Sequence, residues 1–512
     1  MRRSATLRGL AALGLGALAS WSQAPASFWP VLFLTLPPLL LLFQSAESSR
    51  GAAWIGWTFG LGYFLPGLLW IGSAFLVEAD KFAWMMPFAV TLLPAGLSLF
   101  WAAAFALSWS AGRRGTEARA PGLRALALAA LWPAAEWLRG HILTGFPWGL
   151  FGFAWIETPV SQSAAWIGPY ALTALTIAFG LAAGAALAAL LRNDRRSGVL
   201  WLGATAAGIA LLWLAGLARL PDAPIPRAGP VMRIVQPNVP QKEKWEAPYV
   251  RRNFEWLLSL SDKPAAAPPE LVIWPETATP FMVDRRPDLR EGIMARIRAP
   301  YLIVGSQRFE GTEDARRWWN SLFVVGEGGR IDAVYDKHHL VPFGEYLPFQ
   351  DTLQSFGIRQ LAGRSTGFSA GPGPQTVRVP GLPAFAALIC YEAIFPQEMP
   401  GGADRPDLLL QITNDAWFGE SGGPRQHMVQ ARMRAIEQGL PFVRSANTGV
   451  SAAIDPYGRI EQALDLGVRG ALDLRAAAPL SPTLYARFGD LPFGLWLFAL
   501  AAAGLLHHRR AA

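Results

Sequence analysis

The chain has 512 residues, of which 52% are apolar and only 16% charged, with 22 tryptophans, one cysteine and a net charge of +8. That length excludes a single small domain, and charge this sparse is poor for a chain that is soluble throughout. One cysteine excludes an intrachain disulfide, and a positive balance held mostly in short loops between apolar spans argues against nucleic acid as a partner.

The apolar residues are unevenly placed. Residues 1–220 and the last twenty or so are rich in Ala, Leu, Gly and Trp, whereas 228–475 carry mixed charge. A helix needs about 20 apolar residues to cross the hydrocarbon core. Spans of that kind are predicted near 8–24, 28–44, 52–76, 84–109, 123–139, 163–191, 199–218 and 488–506. The expected organisation is a bundle of seven spans over 1–220, a water-exposed domain over 228–475, and a last span with a short tail over 484–512.

Orientation follows from the arginines. One side of the spans carries Arg2, Arg3, Arg8, Arg50, Arg113, Arg114, Arg119, Arg124, Arg192, Arg195, Arg196, Arg509 and Arg510, and the other short loops carry only Lys81 and Arg139. The first set is expected in the cytoplasm, which leaves 228–475 outside it. A cleavable leader ending near Ala17-Leu18-Ala19 is a competing reading of the first span, with the same topology for the rest. The loop from Glu136 to Phe153 is aromatic and broken by Gly and Pro, which fits an interfacial belt or a lipid-facing segment; Glu136 and Arg139 are spaced to pair.

Beyond residue 228 the pattern changes to short β-type runs. Strands are predicted at 233–236, 271–274, 301–305, 321–325, 331–335, 385–390 and 408–412, with a hairpin at Gly326-Glu-Gly-Gly329 and helices near 247–261, 285–298 and 425–439. Strands alternating with helices early and late indicate a layered α/β domain. No zinc spacing, P-loop or Gly-rich dinucleotide signature is present, so neither a metal nor a cofactor is expected.

The only cysteine ends one of these apolar strands, in Phe385-Ala-Ala-Leu-Ile-Cys390-Tyr-Glu392. By itself Cys390 reads equally well as an inert core thiol or as a nucleophile. Three segments offer partners: Trp274-Pro-Glu276, Tyr335-Asp-Lys337-His-His339 with Glu345 beyond it, and Asn414-Asp-Ala-Trp417-Phe-Gly after a fully apolar strand. Open α/β sheets place their sites at the C-terminal ends of strands. A free thiol is mostly protonated at pH 7; a carboxylate can take its proton, and an ammonium can stabilise the thiolate and a later oxyanion.

Trp274-Pro-Glu276, Asp336-Lys337 and Cys390-Tyr-Glu392 resemble the three signature regions of the nitrilase superfamily. The flanking text is narrower. Gln236-Pro-Asn-Val-Pro-Gln, His339-Leu-Val-Pro-Phe-Gly-Glu345-Tyr-Leu-Pro, Asn414-Asp-Ala-Trp-Phe-Gly419, Gln426-His427, Ala431-Arg-Met-Arg-Ala-Ile-Glu437 and Arg444-Ser-Ala-Asn447-Thr-Gly449 are similar to the apolipoprotein N-acyltransferase family. So is Glu136-Trp-Leu-Arg139-Gly with Thr144-Gly-Phe-Pro-Trp148. The resemblance implies a polytopic α-helical membrane protein of about eight transmembrane helices with an inserted nitrilase-like αββα sandwich. It implies an acyltransferase that moves an acyl chain from a phospholipid, typically phosphatidylethanolamine, through a cysteine thioester to the amine of an S-diacylglyceryl-cysteine apolipoprotein.

By position the resemblance makes Glu276 the general base, Lys337 and the Tyr391 N–H the oxyanion donors, and Cys390 the nucleophile. Glu345 and Glu392 would be supports, and Trp245, Tyr346, Trp417 and Phe418 would line the substrate pocket. The segments 136–153 and 346–368 would shield the thioester, the second moving on Gly344, Gly357, Gly363 and Gly367. The implied setting is the inner membrane, with a periplasmic catalytic domain, cytoplasmic termini and a monomeric protein. The competing readings are a tethered amidase, a Cys–His dyad using His338 or His339, and a transporter or scaffold with an inactive enzyme domain.

Overall fold

The computed structural model of the chain describes residues 2–112, 120–227, 229–312, 316–349, 352 and 367–509. Arg113, Arg114, Arg119, Arg510, Gly357 and Gly363 lie outside the described residues. Two compact units are present: Met1–Leu69 with Met86–Asp222 and Thr483–Ala512, and Trp70–Met85 with Ala223–Pro482.

The first unit is helical. Its long helices are Arg2–Ala19, Val31–Gln44, Ser49–Gly67, Met86–Ala111, Ala120–His141, Ala164–Leu191, Arg195–Arg219 and Leu491–Arg509. Among the described residues three segments are long and apolar enough to cross a membrane: Ala79–Ala111, Pro159–Leu191 and Arg195–Arg219. Ser49–Gly67 with Leu69–Phe75 makes a fourth if that bent pair is one span. This is fewer than the eight expected, for local reasons. Val31–Gln44 has 14 residues, about 21 Å of helix against a core of about 30 Å. The span expected over 52–76 breaks after Pro66 and Gly67; the one over 163–191 is kinked at Gly168, whose φ is 75° before Pro169, and still counts among the three.

The aromatic side chains after His141 turn mostly inward, though Leu143 is exposed. Trp148, Phe151 and Trp155 are all about 1% exposed and pack inside the helical unit. Glu136 and Arg139 do pair, at 2.7 Å and both buried. Trp101 Nε1 donates to Glu136 at 2.6 Å, and Arg139 also donates to the carbonyls of Phe146 and Trp148. A buried charge is tolerated when it is paired and fully hydrogen-bonded, so this pair anchors the loop from the inside.

The second unit contains two six-stranded sheets. In chain order the strands are β1 (Met232–Gln236), β2 (Leu271–Ile273), β3 (Tyr301–Glu310), β4 (Arg317–Val325), β5 (Ile331–Asp336), β6 (Thr376–Val377), β7 (Phe385–Ile389), β8 (Leu408–Thr413), β9 (Phe442–Ala446), β10 (Ser451–Ile454), β11 (Ile460–Leu464) and β12 (Gly470–Leu474). The first sheet runs β12-β1-β2-β3-β4-β5 and the second β11-β10-β9-β8-β7-β6. Each has a parallel centre, β1-β2-β3 and β7-β8-β9, with antiparallel flanks.

Period-two alternation sorts the side chains into layers. Ile234, Ile273, Ile303 and Leu322 meet Ala387, Ile389, Leu410 and Val443 between the sheets. Val235, Val272 and Trp274 face outward onto the helices Ala247–Ser261 and Pro287–Ile297. Leu388, Leu409 and Phe442 face outward onto Gly422–Gln438. Helix, sheet, sheet, helix is the αββα sandwich.

Gly305 on β3 lets the turn after β2 lie against the sheet. A Cβ there would sit 2.6 Å from Glu276 Cα and Thr277 N and 2.7 Å from Pro275 O, all backbone atoms. Overpacking that backbone cannot evade costs about 1–3 kcal/mol. Gly305→Ala is therefore expected to lower the unfolding midpoint in a thermal melt; an unchanged midpoint would mean the turn yields freely.

Candidate active site

Glu276, Lys337 and Cys390 each stand just past the end of a strand: β2, β5 and β7. Two of these ends have an unusual backbone. Cys390 has φ 53° and Thr277, next to Glu276, has φ 44°, a left-handed conformation that a β-branched residue rarely adopts. Lys244 braces the second corner, donating from Nζ to Glu276 O at 3.2 Å and to Thr277 Oγ1 at 2.9 Å. The Lys337 N–H donates to Asn320 O at 2.9 Å, which continues the β4–β5 ladder into the site.

The side chains converge. Lys337 Nζ lies 2.8 Å from Glu345 Oε2 and 3.9 Å from Glu276 Oε1. Asn320 Nδ2 donates to Glu276 Oε1 at 2.7 Å and to Glu345 Oε1 at 3.1 Å, and the Val341 N–H holds the other Glu345 oxygen at 2.9 Å. Lys337, Glu276, Glu345, Asn320 and Cys390 are all buried. The Cys390 thiol bonds to Thr413 and feels the charges of both Glu276 and Lys337.

Burial and the Glu276 charge push the thiol above its ordinary pKa, against the pull of Lys337, so at rest it is protonated. Burial and Glu345 likewise raise Glu276, with Lys337 opposing. Burial would lower the Lys337 ammonium, but Glu345, Glu276 and the cysteine outweigh it and the net shift is upward. A protonated thiol, a carboxylate of raised basicity and a fixed cation are the components of base-assisted nucleophilic attack.

The other expected site residues divide into two groups. Glu392 is wholly buried and its oxygens are taken: Oε1 accepts from Tyr335 Oη (2.9 Å), His338 N (2.8 Å) and His339 N (3.3 Å), and Oε2 from Ile389 N (2.6 Å). These are the contacts of a support. Tyr391 is buried, edge-to-face on Phe395 at 5.1 Å. Trp417 and Phe418 sit on the Asp415–Phe418 turn after β8 and are partly exposed. The Phe418 ring meets Trp70 at 4.6 Å, and Trp70 Nε1 donates to Gln426 at 3.1 Å. Trp245 is 48% exposed with the Lys244 ammonium 5.5 Å from its ring, and Tyr346 is partly exposed.

Sequence reasoning missed Asn320, Lys244 and Trp70. The one available signal was an asparagine among the apolar neighbours Trp318, Trp319 and Leu322.

His338 and His339 are engaged by carboxylates. His338 places Nδ1 2.7 Å from Glu392 and Nε2 3.0 Å from Glu398, and His339 places Nδ1 2.8 Å from Glu398. Burial opposes protonation of His338, but the two carboxylates outweigh it and raise its pKa to about 9. Burial would raise Glu398, but the histidines pull it down to about 2. A raised histidine stabilises fully below its unfolded pKa of about 6.5 and loses that contribution as pH climbs through the folded value. The thermal midpoint is therefore expected to fall between pH 6.5 and pH 9.5, and His338→Gln to flatten that fall; parallel pH curves for the two proteins would remove the ion cluster from the account.

Residues 15–182 match the apolipoprotein N-acyltransferase N-terminal domain, and residues 233–472 match the carbon-nitrogen hydrolase family. An apolipoprotein N-acyltransferase of Rhodopseudomonas palustris is 43% identical, the alignment covering 98% of this chain and 95% of the relative. One of Bradyrhizobium diazoefficiens is 45% identical over 96% of this chain and 94% of the relative. A solved carbon-nitrogen hydrolase from Helicobacter pylori aligns with a TM-score of 0.36 at 14% identity, covering 52% of this chain and 93% of that one. With identity of this order over nearly the full length of both sequences, the chain belongs to the apolipoprotein N-acyltransferase family.

Proposed function

We propose that this chain matures lipoproteins by N-acylation, with Cys390 carrying the acyl group between two lipid substrates. The observation that carries the reading is the meeting of Glu276, Lys337 and Glu345 beside the buried Cys390 thiol. Glu276 takes the thiol proton as Sγ attacks an ester carbonyl of a membrane phospholipid, phosphatidylethanolamine being the expected donor. Lys337 and the Tyr391 N–H stabilise the tetrahedral oxyanion. The C–O bond then breaks and the lysophospholipid leaves with the proton from Glu276.

In the second half the amine of an S-diacylglyceryl-cysteine attacks the thioester. Glu276 accepts a proton from the amine and passes it to Sγ as the C–S bond breaks, and the amide product leaves Cys390 as the free thiol. Glu345 and Glu392 hold the charged groups in place, and Trp245, Tyr346, Trp417 and Phe418 contact the lipids.

The setting belongs to the same proposal. Eight spans, seven within 1–220 and one within 484–512, would put the 228–475 domain in the periplasm and both termini in the cytoplasm, the protein acting as a monomer in the inner membrane. The arginine asymmetry supports that orientation. Single cysteines introduced into the Cys390→Ala protein at Arg196 and at Arg459 are expected to react with a membrane-impermeant maleimide from opposite sides; labelling from the same side would sink the topology.

The chemistry is tested with purified protein and a phospholipid labelled in its acyl chain. Label is expected on Cys390, removable by hydroxylamine, absent in Cys390→Ala, and passed to a diacylglyceryl-cysteine peptide. Glu276→Gln, with both histidines intact, should slow loading about 10²–10⁴-fold. Label recovered only as free fatty acid would make the protein a hydrolase.

A further inference from the structure

β8 reads Leu408-Leu-Leu-Gln411-Ile-Thr413, with one amide inside an apolar strand. Alternation sends Leu410 and Ile412 into the core between the sheets and turns Gln411 to the outer face, where it is wholly buried. Arg444 is its register partner on β9. The Arg444 guanidinium donates to Gln411 Oε1 and to Asp415 Oδ2. With its oxygen so held, the amide must point its nitrogen the other way, and Nε2 donates to the carbonyl of Cys390 at 2.7 Å.

His427, from the Gly422–Gln438 helix, closes the cluster. Its Nδ1 is 3.0 Å from Asp415 Oδ1, and its Nε2 is 3.2 Å from Gln411 Nε2 and 3.1 Å from Cys390 O. Burial and Arg444 hold this imidazole below its ordinary pKa. A hydrogen on Nε2 makes this ring a second donor to the Cys390 carbonyl, beside Gln411. Gln411, Asp415, His427 and Arg444 are all wholly buried.

The Cys390 carbonyl and the Tyr391 N–H belong to one peptide unit, which is trans and planar, so they point in opposite directions. Cys390 has φ 53°, a conformation that relaxes readily unless it is held. We infer that Gln411 is a positioning residue: by gripping the Cys390 carbonyl from behind, it aims the Tyr391 N–H at the developing oxyanion. This rests on the thioester mechanism proposed above. The cluster never touches substrate. It sets the direction of a donor that does.

The test uses two reactions of the same thiol in the full-length protein. Thioester formation from a labelled phospholipid passes through an oxyanion, whereas alkylation by iodoacetamide displaces iodide at a saturated carbon and does not. Gln411→Met, which keeps the bulk and removes the donor, is expected to slow thioester formation about 10–100-fold, short of the full loss of an oxyanion donor. It should leave alkylation at the wild-type rate. Transfer from a preloaded thioester to a diacylglyceryl-cysteine peptide should slow by the same factor, since it crosses an equivalent oxyanion.

Arg444→Lys frees the amide oxygen while keeping a charge beside Asp415, and should show the same split more weakly. Thioester formation at the wild-type rate, both reactions falling together, or failure of both variants to fold would each overturn the inference. A wild-type protein that forms no thioester at all fails the proposed mechanism, and this inference with it, before any variant is compared.

Discussion

A buried ammonium is the constraint around which the catalytic unit is built. Lys337 is 1% exposed, and an unpaired charge at such a depth would cost far more than a domain has in net stability. Glu345 at 2.8 Å meets it directly, and Glu276 at 3.9 Å shares it. Two carboxylates around one cation leave an excess of negative charge, and Asn320 reduces the cost by donating to both. Removing one partner of a buried pair typically costs about 3–5 kcal/mol. Folding and chemistry thus make the same demand: the strand ends must converge for the charges to be compensated, and once converged they form a base, a cation and a thiol in one enclosed place.

The two sheets contribute different chemistry. The first brings Glu276, Asn320 and Lys337, all within two or three residues of a strand end or on a strand. The second brings Cys390 and the peptide after it. Between them lies mostly apolar packing, Ile273 and Leu322 against Ile389 and Ile412 among others, crossed by a few hydrogen bonds: Ser445 Oγ donates to the Val235 and Ile273 carbonyls and the Ser451 N–H to Gln236 Oε1. Such packing is strong but has no directional preference, so it fixes the spacing of the sheets better than their lateral position. Hydrogen-bonded contacts must supply that precision.

Much of this was legible in the sequence, and the failures have physical causes. The strands ending at Ile389 and Ile273 announced themselves because they are buried on both faces and read as continuous apolar runs. β9 did not, because Phe442-Val-Arg444-Ser445-Ala446 carries an arginine and a serine in its middle; both are wholly buried, and the ladders to β8 and β10 make the segment a strand. β11 is an exposed strand at the sheet edge with Glu461 and Gln462 at its centre, and β6 has two residues. Asn320 went unseen because the apolar run reads from Ser321, whereas the strand begins at Arg317. The aromatic loop after His141 misled in the opposite sense: its composition suits a membrane interface, but Trp148 and Phe151 are interior side chains. In each case a tertiary partner, invisible locally, decided the outcome.

Glu392 supplies the lateral precision that apolar packing lacks. One of its oxygens collects Tyr335 Oη and the His338 and His339 N–H groups from the end of β5; the other takes the Ile389 N–H from the end of β7. A single carboxylate therefore ties the strand that carries Lys337 to the strand that carries Cys390. Every one of those donors approaches from protein, so both Glu392 oxygens are engaged two residues from Cys390. The division of labour follows: Glu276, shared with a cation and one amide, keeps basicity to spare, whereas Glu392 spends its lone pairs on holding the sheets in register. Freeing Glu392 would break its main-chain bonds from His338, His339 and Ile389, and buried N–H groups left without a partner cost about 1–3 kcal/mol each.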